Sequence, residues 1–140
     1  MPIYVLDSYA ILVLLQKEPG NQRVRELLEE AQDESCQVHI SLINLGELAY
    51  IIERRWGVER SLEALAYLRN TALQWAAVTE NRVWTASRLK AAHPIAFADA
   101  FAAGLALELG GTLVTGDPEF RQLEAKIAIE WLPFRTKSAP

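Results

Sequence analysis

Most of the 18 acidic residues in this chain stand among other charges, as Glu29, Glu30, Asp33 and Glu34 do, and read as a solvated surface. Four do not. Asp7 is the only Asp, Glu, Lys or Arg from Met1 to Gln16, Glu47 the only one from Ser35 to Ile52, and Asp99 the only one from Ala91 to Leu107. Asp117 closely follows the apolar run Thr112 to Thr115. An ionised carboxylate drawn into apolar surroundings costs on the order of several kcal/mol unless it is paired, hydrogen-bonded or held against a cation. No Lys or Arg nearby in sequence offers that pairing. Carboxylates with no Cys or His close by describe a hard-cation site, for Mg²⁺ or Mn²⁺. Each acid also has a plain structural explanation: Asp7 and Asp117 as helix N-caps, Asp99 at the positive end of a helix, Glu47 snorkelling past Ile43 and Ile51 to water.

Glu108 and Glu130 stand in apolar windows too, so the elements that position these acids must separate them. Strands are expected at Ile3 to Leu6, Gln37 to Ile40, Trp75 to Val78, Thr112 to Thr115 and Ile127 to Leu132. Helices are expected over Ser8 to Gln16, Asn21 to Glu34, Leu42 to Trp56, Val58 to about Leu73, Glu80 to Ala92 and Ile95 to Leu109, with a short one opened by Pro118. Ser41 is a candidate N-cap, and Gly57 and Gly110 are helix stops. Helices alternating with short apolar strands imply an α/β fold with a mostly parallel sheet, whose sites lie at the carboxyl edge of the strands. Asp7 and Asp117 each follow a strand, and Glu47 and Asp99 fall in early turns of helices that begin at that same edge. Glu108 lies about 13 Å further along its helix, at the other edge, and Glu130 points outward from a late strand.

The chain has 140 residues, 51% hydrophobic and 23% charged, which fits one packed domain, expected over 1–135 with a frayed tail at 136–140. The net charge of -4 argues against a protein that coats nucleic acid through bulk positive charge. The lone Cys36 excludes an internal disulfide framework and a cysteine-rich zinc site, and it suits a cytoplasmic location. The apolar stretch from Ile3 to Leu15 is broken by Asp7 and has no basic residue before it, so neither a signal peptide nor a membrane span is expected. Neither His39 nor His93 stands where a general base is needed. Trp56, Trp75, Trp84 and Trp131 are expected to pack in the core or an interface, and Arg54, Arg55 and Arg60 form the densest basic cluster.

The segments YVLDSYAIL (4 to 12), NLGELAY (44 to 50), FADAFAAGLA (97 to 106) and VTGDPEF (114 to 120) resemble the PIN-domain ribonucleases, most closely their VapC-type toxin branch. The resemblance runs from the first strand to the last. It implies metal-dependent hydrolysis of RNA, with Asp7, Glu47, Asp99 and Asp117 as catalytic, metal-holding acids. Ser8 and Asn44 would support those acids, and Thr115 would orient Asp117 or a water beside it. It also implies a cognate antitoxin laid across the acidic groove, and a toxin homodimer. Gly116 departs from the pattern, because relatives often carry a larger or basic residue there. A stand-alone RNA-processing nuclease of the same fold is the alternative. A Mg²⁺-binding receiver domain fits poorly, because Leu6 stands where a second acid is needed and no lysine lies between Thr115 and Asp117.

Overall fold

Short strands that are apolar on both sides cannot leave a face in water, so they form a parallel sheet covered by helices on both sides. The computed structural model describes residues 1–134 in these terms, and the expected tail at 136–140 lies outside the described residues. The order is β1 (Ile3–Leu6), α1 (Ser8–Leu15), α2 (Asn21–Gln32), β2 (Gln37–Ser41), α3 (Leu42–Trp56), α4 (Val58–Arg69), β3 (Leu73–Ala76), α5 (Glu80–Ala92), α6 (Phe97–Leu109), β4 (Thr112–Thr115), a 3₁₀ helix at Pro118–Leu123, and β5 (Ala128–Trp131). All pairings are parallel, and the sheet order is β3-β2-β1-β4-β5.

Side chains alternate across the sheet, as the two-residue period of a strand requires. Val5 and Leu113 face a core built with α5, α6 and Phe120, while Leu6, Val38, Ile40 and Val114 face a second core built with α1 to α4. From Asp99 to Ala106 every residue of α6 is buried, so it is a core helix. The left-handed Gly110 (φ 63) ends it. No single helix among the described residues is long and apolar enough to cross a membrane.

Several expected boundaries move by a few residues, two of them through visible hydrogen bonds. Helix α4 stops at Arg69 and β3 begins at Leu73, because the Thr71 hydroxyl donates to Leu68 O at 2.7 Å and accepts from Leu73 N at 3.2 Å. These bonds end the helix and start the strand, so Trp75 lies inside β3, paired with Ile40. Helix α6 begins at Phe97 and not Ile95, whose N–H donates to His93 O at 2.9 Å in a turn while Lys90 Nζ holds its carbonyl at 2.7 Å. The tryptophans divide, with Trp75 and Trp131 packed against the two cores and the other two at the surface. Trp56 and Trp84 are 46% and 54% exposed, and Trp75 and Trp131 are half-buried.

Candidate functional site

Strand β1 is the pivot of the sheet: the chain leaves it towards β2 on one side, and β4 joins it on the other. Such a reversal opens a crevice beyond the carboxyl ends of the strands. The register pairs Leu6 with Val114, so the next residues, Asp7 and Thr115, emerge side by side into that crevice. Thr115 Oγ1 donates to Asp7 Oδ2 at 2.5 Å, and the Ala10 N–H donates to Asp7 Oδ1 at 2.9 Å. Asp7 is therefore both the N-cap of α1 and a wall of the crevice.

Asp117 has the same double character. Its Oδ1 accepts from Glu119 N at 3.0 Å and caps the 3₁₀ helix, while its own N–H donates to Thr115 Oγ1 at 3.0 Å. Thr115 thus orients the Asp7 side chain and holds Asp117 by its backbone N–H. Phe120, fully buried, pins the 3₁₀ helix to the core. Helix α3 starts at Ser41, whose hydroxyl caps Ile43 N at 3.1 Å, and brings Glu47 in on its second turn. The Ser8 hydroxyl donates to Glu47 Oε1. Asn44 is fully buried; its Nδ2 donates to Ala98 O at 3.2 Å, tying α3 to the start of α6 beside Asp99, and its Oδ1 meets no partner among the described residues.

Asp99, 8% exposed, receives no ion pair from any described residue, and neither do Asp7, Glu47 and Asp117. Burial pushes its carboxyl up to about 8, helped by the negative charges of Asp117, Asp7, Glu47 and Glu119. Burial pushes Asp7 up to about 7, although Thr115 and the Ala10 N–H hold it back. The four sequence-selected acids thus share one electrostatic neighbourhood. The tightest group differs from the expected one, however. Carboxylate oxygens of Asp99, Asp117 and Glu119 lie within 4.8 Å of one another, with Asp7 and Glu47 outside this trio. Sequence reasoning passes over Glu119 because it is exposed and charged like its neighbours. The available signal is Pro118, which forces a helical turn and swings residue 119 back over its own cap.

The acids rejected on topology behave otherwise. Glu108 accepts from Arg82 Nε and Nη2, both at 2.9 Å, and Glu130 accepts from Arg23 Nε and Nη2 at 2.7 and 3.2 Å. His39 bonds Gln37 at 3.0 Å, with burial lowering its pKa, and His93 caps the end of α5. At Gly116 a Cβ would come within 2.3 Å of the Tyr9 ring, so Tyr9 fills the space a larger residue would take.

An all-oxygen donor set without a countercharge, beside an orphaned amide oxygen, fits a small hard cation such as Mg²⁺ or Mn²⁺. No curated protein sequence matches the chain. Solved structures with a similar fold include the VapBC2 complex of Rickettsia felis bound to promoter DNA, 21% identical with a TM-score of 0.74 over 93% of this chain and 98% of that one. The DNA-bound VapBC of Salmonella typhimurium is 25% identical, with a TM-score of 0.69 over 93% and 98%. VapC20 of Mycobacterium tuberculosis, a toxin that cleaves the sarcin-ricin loop, is 18% identical, with a TM-score of 0.70 over 89% and 96%. The PIN domain family model matches residues 4–126, nearly the whole described fold and every acid of the crevice, and the chain belongs to the PIN-domain family.

Proposed function

We propose that this protein is a Mg²⁺- or Mn²⁺-dependent endoribonuclease, the VapC-type toxin of a toxin–antitoxin pair. The observation that carries the reading is the group of converging carboxylates at the sheet's carboxyl edge, none of them neutralised by a described cation. Asp99, Asp117 and Glu119 would hold the ion, with Asp7 and Glu47 contributing charge beside them; the convergence of the three carboxylates supports this. A divalent ion held there supplies Lewis-acid activation and neutralises charge developing on a phosphodiester.

The chain's own residues prepare the site. Thr115 and the Ala10 N–H fix Asp7, and Ser8 fixes Glu47. Asn44 holds α3 against α6 through its hydrogen bond to Ala98 O. The carboxyls must be deprotonated to hold a cation, and burial raises Asp7 to about 7 and Asp99 to about 8, so binding a cation would be coupled to proton release. No histidine is positioned to deprotonate a ribose hydroxyl, so water is the nucleophile, and 5′-phosphate and 3′-hydroxyl ends are expected.

The fold similarity to VapBC complexes supports an antitoxin partner and a toxin homodimer. An acidic crevice without its ion attracts a cationic side chain, most favourably the planar fork of an arginine, from such a partner. Cleavage of single-stranded RNA with Mg²⁺ and with EDTA, followed by end-group analysis, tests the reading. Products ending in 2′,3′-cyclic phosphate, or full activity in EDTA, overturn it.

A further inference from the structure

Tyr9 stands two residues after Asp7, in the first turn of α1, and is half-buried. Its ring lies over the backbone of Gly116: a Cβ added there would stand 2.3 Å from Tyr9 Cε1, 2.7 Å from Cζ and 2.9 Å from the hydroxyl oxygen. Ordinary contact begins at 3.4 Å, so even an alanine would force the ring or the backbone to move by about 1 Å. The backbone conformation does not itself call for glycine, since the left-handed glycines among the described residues are Gly20, Gly57 and Gly110. Gly116 is therefore a point of close approach. The far end of the ring is held as well. Its hydroxyl donates to Pro133 O at 3.2 Å, just after β5, and Pro133 in turn closes on Gly20, where a Cβ would meet Pro133 Cδ at 2.9 Å. One ring thus spans the start of α1, the turn after β4 and the segment after β5.

The residues on either side of Gly116 are the ones the crevice depends on. Thr115 donates to Asp7, and its carbonyl is held by Leu132 N at 2.8 Å. Asp117 carries one of the three carboxylates that lie within 4.8 Å of one another, and its Oδ1 accepts from Glu119 N. Between these two anchors, the three nearest atoms over Gly116 all belong to Tyr9. Mg²⁺ accepts oxygen ligands only near about 2.0–2.1 Å and in a strict geometry, so a displacement of about 1 Å in the turn would take the Asp117 carboxylate out of reach. We infer that Tyr9 is a positioning residue for the metal: its ring, seated on Gly116, sets the Thr115–Asp117 turn and so holds the Asp117 carboxylate beside Asp99 and Glu119. The inference rests on the metal-site reading above. The ring does the holding, and the hydroxyl locates the ring.

The test is calorimetric titration of Mn²⁺ into the metal-free protein, with thermal melts in EDTA on the same samples. Tyr9→Ala should weaken Mn²⁺ binding about tenfold, and Tyr9→Phe, which keeps the ring, should recover most of that loss. Gly116→Ala keeps every acid and the ring but drives ring and turn apart, and it should also weaken binding about tenfold. With the ring gone the added methyl has nothing to strike, so Tyr9→Ala combined with Gly116→Ala should bind no more weakly than Tyr9→Ala alone. Tyr67→Ala, at an exposed tyrosine on α4, should bind as wild type. A Tyr9→Ala protein that melts lower yet binds Mn²⁺ within about twofold of wild type makes the ring a filler of space and overturns the inference. Losses in the two single variants that multiply in the double also overturn it, because the ring and the turn then act separately. Where Tyr9→Ala fails to fold, Gly116→Ala decides, and binding by it within about twofold of wild type overturns the inference. Wild type that binds no Mn²⁺ brings down the metal reading and this role together, whereas wild-type binding with unaffected variants brings down the role alone.

Discussion

Asp99 and Glu108 stand on the same helix, and their carboxyl groups are driven in opposite directions. At the far end of α6, Arg82 grips Glu108 with two hydrogen bonds and holds its pKa below the usual range. At the near end, Asp99 lies in the first turn, where the helix dipole favours its charge by at most about 2 kcal/mol. Burial and four surrounding carboxylates outweigh that preference and raise Asp99 to about 8. Glu130 likewise accepts two hydrogen bonds from Arg23. Folding alone therefore satisfies the acids it needs for structure. The acids it leaves crowded and without a described cation are the ones proposed to hold a metal ion.

The contrast is broken most sharply by removing one charge from each set. Asp99→Asn should lower RNA cleavage by about 100- to 1000-fold, whereas Glu108→Gln should cleave within about twofold of wild type. Rates on one labelled RNA decide this, and equal losses in both variants would erase the distinction. Thr115→Val should have an intermediate effect, about 10-fold or more. It removes the hydrogen bond that holds down the Asp7 pKa, so the acidic limb of the pH–rate profile should move to higher pH, and Thr115→Ser should restore it.

Stability should show the same contrast with inverted sign. The folded pKa values of Asp7 and Asp99, about 7 and about 8, lie above their ordinary value of 3.8. The native state thus binds more protons than the unfolded chain between about pH 4 and pH 8, and the stability of the metal-free protein falls as pH rises through that window. Melts in EDTA should be higher near pH 5.5 than near pH 8, and added Mg²⁺ should narrow the gap by binding the native state. At pH 8 in EDTA, Asp99→Asn should melt as high as wild type or higher, by about 1 kcal/mol. A clearly lower melt would make Asp99 a structural cap. The smallest effect is expected for Glu130→Gln, which loosens a partly exposed pair and should cost about 1 kcal/mol or less in the same melts.

Sequence patterning located all five strands and six α-helices, because apolar period and capping residues are local signals. It missed where α4 gives way to β3, since the decision rests on one threonine hydroxyl bonding in both directions. Isolation among apolar neighbours led to Asp7, Glu47 and Asp99, and position after a strand led to Asp117. Glu119 was illegible by the same test, because it reaches the trio from an exposed turn and not from an apolar run. The tryptophans divide: Trp75 and Trp131 pack against the two cores, while Trp56 and Trp84 stay at the surface. Gly116, which reads as a missing contact, is a consequence of where Tyr9 lies.

The hydrogen bond from Thr115 to Asp7 joins residues 108 positions apart, across a strand pair that closes the centre of the sheet. During synthesis Asp7 emerges early, yet Thr115, Asp117 and Glu119 beside it do not exist until β4 and the turn anchored by Phe120 have been translated. Contacts so distant in sequence form late, because their loop closure must be met before they contribute. Topology thus acts as a timer: a nascent chain carries the first acid for most of its translation while the composite edge is still missing. A partner that recognises that edge meets its target only once the whole sheet has been made.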